Sequence, residues 1–470
     1  MRQPRIVPNP RWTVNCAAVL LLATVLASAA RAAAVPTTGD VRLFAVLAGF
    51  PDRPLRLPRE HFLGRPDALL DRLVAYYSEV SAGRLRIRPA LGAATVTLPA
   101  ERRTYVQRPG QMARDALAAF APAATDQDRA ALAGAQALVV FFTGPGRESR
   151  LGTPDAGDPW SNYTGVDPPA RAGDTTFDDA CVIAATEASL ADPGTGQQRA
   201  LSSFGVLCHE YGHLLGLPEL YAPGGATHEG IGVWGLMGQG TWLGGGSQPP
   251  HPSAWEKLRL GWVDVETITQ TTRGVRLAAV ETEPRVIRIP AAPDRPHEYY
   301  LLENRARIGA DRALPGEGLL VWHVDESVEG FRTAQNDPSH KLLHLVEADG
   351  RNDLDRGHAA GGNRGDAGDP WSGPPRWHQR AAGALLLAGA LGIAGAVFRL
   401  VRPRPLVPVL IRLGVAAIVL AAGALLGRTP VCGPDTPGMA PYDGSPGRVV
   451  IRNISPAGPV MTFDVLVAPK

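Results

Sequence analysis

The chain has 470 residues, 45% of them hydrophobic and 20% charged, with a net charge of +2 at pH 7. That is too long for one small domain and long enough to bury a sizeable core, and the near balance of charge carries no nucleic-acid-binding signature. The 53 glycines and 43 prolines argue for many turns and loops rather than long bundled helices.

Residues 1–34 read as an export signal. Arg2, Arg5 and Arg11 precede an apolar run that ends in small residues, with cleavage expected after Ala29 or Ala34. A signal anchor is the other reading. Cys16 lies inside the apolar run without the small-residue context of a lipoprotein site. Export leaves Cys181, Cys208 and Cys432, an odd number, so at least one thiol is unpaired. Either Cys181 pairs with Cys208 or all three are free buried thiols.

From Val41 the pattern is globular. "VRLFAVLAGF" reads as a buried strand, "DALLDRLVAYYSEVS" as a helix and "GRLRIRPAL" as a strand. "QMARDALAAFAPAA" and "DQDRAALAGA" have helical character, and "QALVVFFTG" is another buried strand. A Gly/Asp/Pro-rich loop is expected over 144–175, followed by a helix in "ALSSFGVLCHEYGHLLG" that stops at Gly216. This alternation predicts a mixed sheet with packed helices, an α+β catalytic domain over 35–265. Short apolar runs between turn residues, from "GVRLAAV" to "KLLHLVEAD", predict a β-rich region over 266–375.

The character then shifts. Residues 381–398 carry no charge and 405–427 carry only Arg412. Spanning a bilayer takes ~20 apolar residues, so a transmembrane hairpin is expected over 376–430. A pair of buried Ala/Gly-rich core helices is the alternative. Arginines in and around the connecting turn favour a cytoplasmic turn, with a weak bias because Arg376, Arg380 and Arg428 flank the outer ends. Residues 431–470 resume β character and complete the downstream region on the exported side.

The chemistry concentrates in "HEYGHLLGLPE", residues 209–219. On a helix His209 and His213 lie four apart on one face and can share one Zn²⁺. Glu210 sits where a general base would take the proton of a metal-activated water. Gly216 permits the turn that ends the helix, and Glu219 then stands at the third-ligand position of the extended H-E-x-x-H-x-x-G-x-x-H pattern. "GVWGLMGQGTW" places Met237 in a glycine-rich turn shortly after the helix, where it would form an apolar floor under the imidazoles. By chain order, Trp242 lines the pocket for the residue after the scissile bond. "DGRNDLDRG" and "GNRGDAGD" are acidic and Gly-rich and could bind Ca²⁺, but they lack EF-hand spacing, and ordinary turns are the simpler reading. His323 and Asp325 alternate on a strand and are expected to make structural hydrogen bonds.

These segments together resemble the immune-inhibitor-A-type secreted zinc metalloproteases, a metzincin-like family. "LFAVLAGFPD", "YYSEVSAGRLRI", "HEYGHLLGLPELY", "GVWGLMGQGTW" and "PSAWEKLRLGW" carry the likeness in the catalytic region. "EYYLLENRARIGADRALPGEGLLVWHVDE" and "LHLVEADGRNDLD" carry it downstream, so it covers most of 41–370 and the tail. The resemblance implies a metzincin-like fold, Zn²⁺ on His209, His213 and Glu219, and endoproteolysis of extracytoplasmic proteins. Two departures stand out. The first strand follows the signal almost at once, with no pro-segment in view, and the apolar spans interrupt a surface loop of the β region. The expectation is a membrane-held ectoprotease. A freely secreted protease and a membrane-anchored binding or adhesion module with structural zinc are the rivals; an intact Glu210 speaks against the latter, because a structural site needs no base.

Overall fold

The computed structural model describes residues 35–149, 157–185, 188–191, 198–222, 228–373, 436 and 439–468. The expected signal (1–34), the hairpin (376–430, with spans 381–398 and 405–427) and Cys432 lie outside them. Among the described residues no helix is long and apolar enough to cross a membrane.

The first sheet has five strands. They are β1 (Gly39–Gly49), β2 (Leu85–Thr97), β3 (Ala137–Phe142), β4 (Asn162–Ala172) and β5 (Thr175–Ala184), in the order β2-β1-β3-β5-β4. All neighbours are parallel except β4, which runs antiparallel to β5 at the edge. In β1 the run reads apolar without alternation because both faces are covered. Leu43, Ala45 and Leu47 enter one core cluster, and Phe44, Val46 and Ala48 enter the other.

Helix α1 (Leu69–Val80) packs Leu73, Tyr77 and Val80 into the first cluster, at helical spacing. Helix α2 (Pro109–Phe120), with proline in its first turn, packs Met112, Ala116 and Phe120 into the second. Helix α3 (Asp126–Leu132) is opened by a capping box between Thr125 and Asp128. Strands β6 (Ala188–Ala191) and β7 (Gln198–Leu201) form a two-stranded antiparallel ribbon just before helix α4 (Ser203–Leu214). Helix α5 (Ala254–Leu260) carries a second capping box, Ser253 with Glu256, and stops at the left-handed Gly261.

The expected loop over 144–175 is corrected: its second half is strand β4. Pro168 and Pro169 hide the strand in the sequence. They fall where the β4–β5 register shifts between Gly165 and Ala170, so their missing N–H groups break no ladder bond.

Downstream lie β8 (Asp264–Thr267), β9 (Thr272–Ala278), β10 (Arg285–Pro290), β11 (Glu298–Arg305), β12 (Gly318–Asp325) and β13 (Leu343–Leu345). The tail supplies β14 (Val449–Arg452) and β15 (Val460–Val467). One sheet has the order β13-β12-β11-β10-β8 and the other β14-β15-β9, so the tail pairs back onto residues 272–278. The first core cluster runs on from Tyr77 and Tyr211 to Trp322, Val324 and Leu343, so the two regions share packed apolar surface. His323 makes the structural contacts expected of it: Nε2 meets Glu298 Oε1 at 2.9 Å and the ring stacks on Tyr442. Asp325 accepts from the Ser327 hydroxyl and pairs with His340.

The Cys181–Cys208 disulfide does not form. Both thiols are free and buried, one in β5 and one in α4, and burial pushes both well above the usual thiol range. The Cys181 thiol donates instead to the carbonyl of Glu210, at 3.3 Å.

Candidate metal centre

Helix α4 begins at Ser202, whose hydroxyl accepts from the Phe204 N–H at 3.3 Å. It is buried along its length except at Glu210, which is partly exposed. Such a helix can sit this deep only where small residues admit its neighbours. A Cβ on Gly205 would lie 2.1 Å from the Thr241 carbonyl, and one on Gly212 would lie 2.7 Å from Met237 Sδ. The methionine turn therefore packs directly under the second histidine's turn of helix.

The helix stops at Gly216, with φ of 96°, and the Leu217 N–H returns to the Gly212 carbonyl at 3.1 Å. The reversal presents the Leu217 carbonyl to His213 Nδ1 at 2.8 Å and brings Glu219 beneath both imidazoles two residues later. His209 Nδ1 is held likewise by the Leu236 carbonyl at 3.0 Å, beside Thr241 Oγ1 at 3.0 Å. With both Nδ1 atoms donating to carbonyls, each Nε2 is left as a lone pair.

Those lone pairs converge. His209 Nε2 is 3.3 Å from Glu219 Oε2, and His213 Nε2 is 3.3 Å from Glu219 Oε1. All three side chains are buried, and one atom of each lies within 4.8 Å of the others. These are close approaches without aligned hydrogen bonds: Glu219 Oε2 has no hydrogen-bond donor. Three buried acceptors facing one point repel unless something positive stands between them. Two imidazole nitrogens and a carboxylate are a fitting donor set for zinc, with a fourth position left for water or substrate.

The electrostatics carry the same message. Burial pushes His209 down, but contact with Glu219 outweighs it and holds the imidazole up at about 9. Burial pushes Glu219 up, but the two histidines hold it well below the usual carboxylate range. A proton on His209 then does what a bound cation would do. Glu210 is raised by burial, although His209 and His213 oppose the shift. Its Oε2 accepts the Tyr163 N–H of edge strand β4 at 2.6 Å, which fixes the carboxylate at the mouth of the triad.

The triad opens into a cleft of about 790 Å³, lined among others by Glu148, Tyr163, Glu210, Tyr221, Trp242 and Phe331. The structure thus brings His209, His213, Glu219, Glu210 and Trp242 to one cleft, with Trp242 on its wall and Met237 buried against Gly212 of helix α4. Several groups carry no sequence signal because they act through the backbone: the Tyr163 N–H, the Leu217 and Leu236 carbonyls, and the Phe331 carbonyl that accepts the Glu219 N–H at 2.9 Å. The Phe331 ring also packs on His213, with centroids 4.8 Å apart.

Residues 136–263 match the family described as immune inhibitor A peptidase M6, catalytic domain. Pre-pro-metalloprotease PrtV of Vibrio cholerae serotype O1 (strain M66-2) is 32% identical over 124 residues, 24% of this chain and 13% of that protein. The protein of the same name from strain ATCC 39315 / El Tor Inaba N16961 gives the same figures. The chain therefore spans well under two thirds of the length of these curated relatives. No solved structure matches. The matched segment begins beside β3 and contains His209, Glu210, His213, Glu219 and Met237, and over it the chain is similar to the immune inhibitor A peptidase M6 catalytic domain and to a metalloprotease.

Proposed function

We propose that the protein is a zinc-dependent endopeptidase with Glu210 as its general base, acting on extracytoplasmic proteins. One observation carries the reading: His209, His213 and Glu219 are buried with one ligand atom of each within 4.8 Å of the others, and Glu219 Oε2 has no donor, beside a carboxylate that the Tyr163 N–H aims at the same cleft. A zinc ion held by His209, His213 and Glu219 would supply the Lewis acidity that makes water nucleophilic near neutral pH. Glu210, its affinity for a proton raised by burial, takes the proton of that water and hands it to the departing amine. Strand β4 offers its outer edge along the cleft, so an extended substrate can add to it as a further strand. Trp242 on the cleft wall then contacts the residue after the scissile bond, and Met237 keeps the floor apolar.

In the domain plan proposed here, residues 35–265 are catalytic, the β-rich region follows, and the apolar segments of 376–430 hold the exported enzyme in a membrane.

The deciding experiment compares wild type, Glu210→Gln and chelator-stripped wild type on an unfolded general protein substrate. Glu210→Gln should lower turnover by about 10²–10⁴-fold while zinc stays bound. Stripping should abolish cleavage and zinc should restore it. Zinc bound in equal amount by both proteins, with no cleavage by either, would overturn the enzyme reading and leave a binding module with structural zinc. Release of the full chain from membranes by carbonate without detergent would overturn the hairpin anchor alone.

A further inference from the structure

The cleft holds a carboxylate that neither the metal triad nor the proton transfer uses. Glu148 stands on a short turn, Arg147–Ser149, between β3 and β4, and lines the cleft. The Arg147 N–H donates to the Pro159 carbonyl at 2.9 Å, which ties the turn to the approach of β4. The Ser161 N–H then donates to Glu148 Oε2 at 3.0 Å. Two residues on, the Tyr163 N–H holds Glu210 in the same way at 2.6 Å. Backbone N–H groups two residues apart on a strand point to one side and lie about 7 Å from each other. The edge strand thus hangs two carboxylates side by side along the cleft, each on one outward N–H.

No base of the protein answers Glu148. Arg147, on the same turn, lies over the Trp160 ring instead, 5.9 Å from its centroid. Arg53 and Arg102 both pair with the buried Asp158. Arg332 lines the same cleft, yet among the described residues no lysine or arginine pairs with Glu148. Burial, with Glu210 adding to it, pushes the carboxyl up to about 7. A neutral acceptor would cap the Ser161 N–H without the cost of desolvating a charge beside Glu210. The residue remains partly exposed, and Trp160, 43% exposed, lines the cleft with it.

We propose that Glu148 selects substrates carrying an arginine or lysine within about two residues of the scissile bond, with Trp160 covering the aliphatic stem of that side chain. The inference rests on the endopeptidase reading of the cleft. The distance along the substrate follows from β4: the N–H groups that hold Glu148 and Glu210 are two strand residues apart, and an extended peptide alongside advances at the same rate. A guanidinium or ammonium arriving there would give the carboxylate the counter-charge that Arg53, Arg102 and Arg147 do not, through a charge-assisted hydrogen bond in a partly desolvated wall.

The test uses the full-length, zinc-loaded protein carrying Glu210→Gln, which should bind peptides without cutting them. The probes are short labelled peptides of otherwise neutral sequence, each with one arginine at a different position. A matched set carries citrulline, which keeps the shape and loses the charge. Binding is read by fluorescence anisotropy. At one position, or at two neighbours, arginine should bind at least about tenfold more tightly than citrulline. Glu148→Gln, added to the same background, can still accept the Ser161 N–H and should bring that ratio close to one. Equal affinities at every position, or a preference that survives Glu148→Gln, would overturn the proposal. If the double variant does not fold, the comparison of arginine with citrulline decides by itself. Peptides that bind in neither form would take down the endopeptidase reading as well, so the two failures are told apart.

Discussion

Two buried polar clusters in this protein look alike in composition and differ in balance. Where α5 meets the β-rich region, Arg305 is fully buried and grips Asp311 with two contacts, Nε to Oδ2 at 2.7 Å and NH2 to Oδ1 at 2.6 Å. It also meets Glu303, which faces Lys257 at 3.5 Å. The third carboxyl there, Glu281, is pushed up to about 9 by burial and by Asp311, so it carries a proton near neutral pH. Arg305 and Lys257 thus face Asp311 and Glu303 across the cluster. The His209–His213–Glu219 triad is equally buried, and among the described residues no lysine or arginine pairs with its carboxylate. Clusters that neutralise themselves are structure, and a cluster that needs something from outside is a site.

The comparison breaks most visibly by mutation. Arg305→Met should cost about 3–5 kcal/mol, because it strands buried carboxylates, and zinc should not restore the loss. His213→Ala should leave the zinc-free protein near wild-type stability and abolish the rise in unfolding midpoint that zinc gives wild type. Calorimetric scans with and without zinc distinguish the two, and equal, zinc-independent losses would erase the distinction.

A smaller effect sharpens it. Gly212→Ala drives a methyl to 2.7 Å from Met237 Sδ, in a turn held by Glu256 Oε1 accepting the Met237 N–H at 2.9 Å. Overpacking there should cost about 1–3 kcal/mol and weaken zinc binding, read by competition with a chromogenic chelator. If stability falls and zinc affinity does not, the floor is packing alone.

The smallest effect is a pH dependence at the cleft wall. Glu148 is partly exposed as a residue, but burial pushes its carboxyl up to about 7. A raised carboxyl binds its proton more tightly folded than unfolded. Its stabilising contribution is therefore full below the unfolded value near 4.5 and is lost as pH rises through about 7. Wild-type stability should fall across that window relative to Glu148→Gln, measured by denaturant titration at several pH values. Parallel curves for the two proteins would refute the shift.

Much of the site was legible because its logic is local. The four-residue spacing of His209 and His213, the helix stop at Gly216 and the acid three residues on are all written within the short stretch 209–219. The buried strands β1 and β3 were legible from unbroken apolar runs. Strand β4 was not, since an edge strand with two prolines at a bulge resembles a loop. Nor were the groups that aim the site, because a backbone N–H at Tyr163 or a carbonyl at Leu236 has no residue type to betray it. The thiols misled in a simpler way: parity counts cysteines but says nothing of whether α4 and β5 bring two of them face to face.

The hydrogen bond from the Glu219 N–H to the Phe331 carbonyl has an evolutionary and practical reach. Glu219 is steadied by a residue that lies more than a hundred positions further along the chain, beyond the end of the family match at residue 263. Excising residues 35–265 as a cassette would therefore leave the ligand's backbone unanchored and one face of His213 bare. Swapping downstream regions between relatives would retune the metal centre as well as whatever the β-rich region does. Lineages of this protein should be expected to inherit the two halves together.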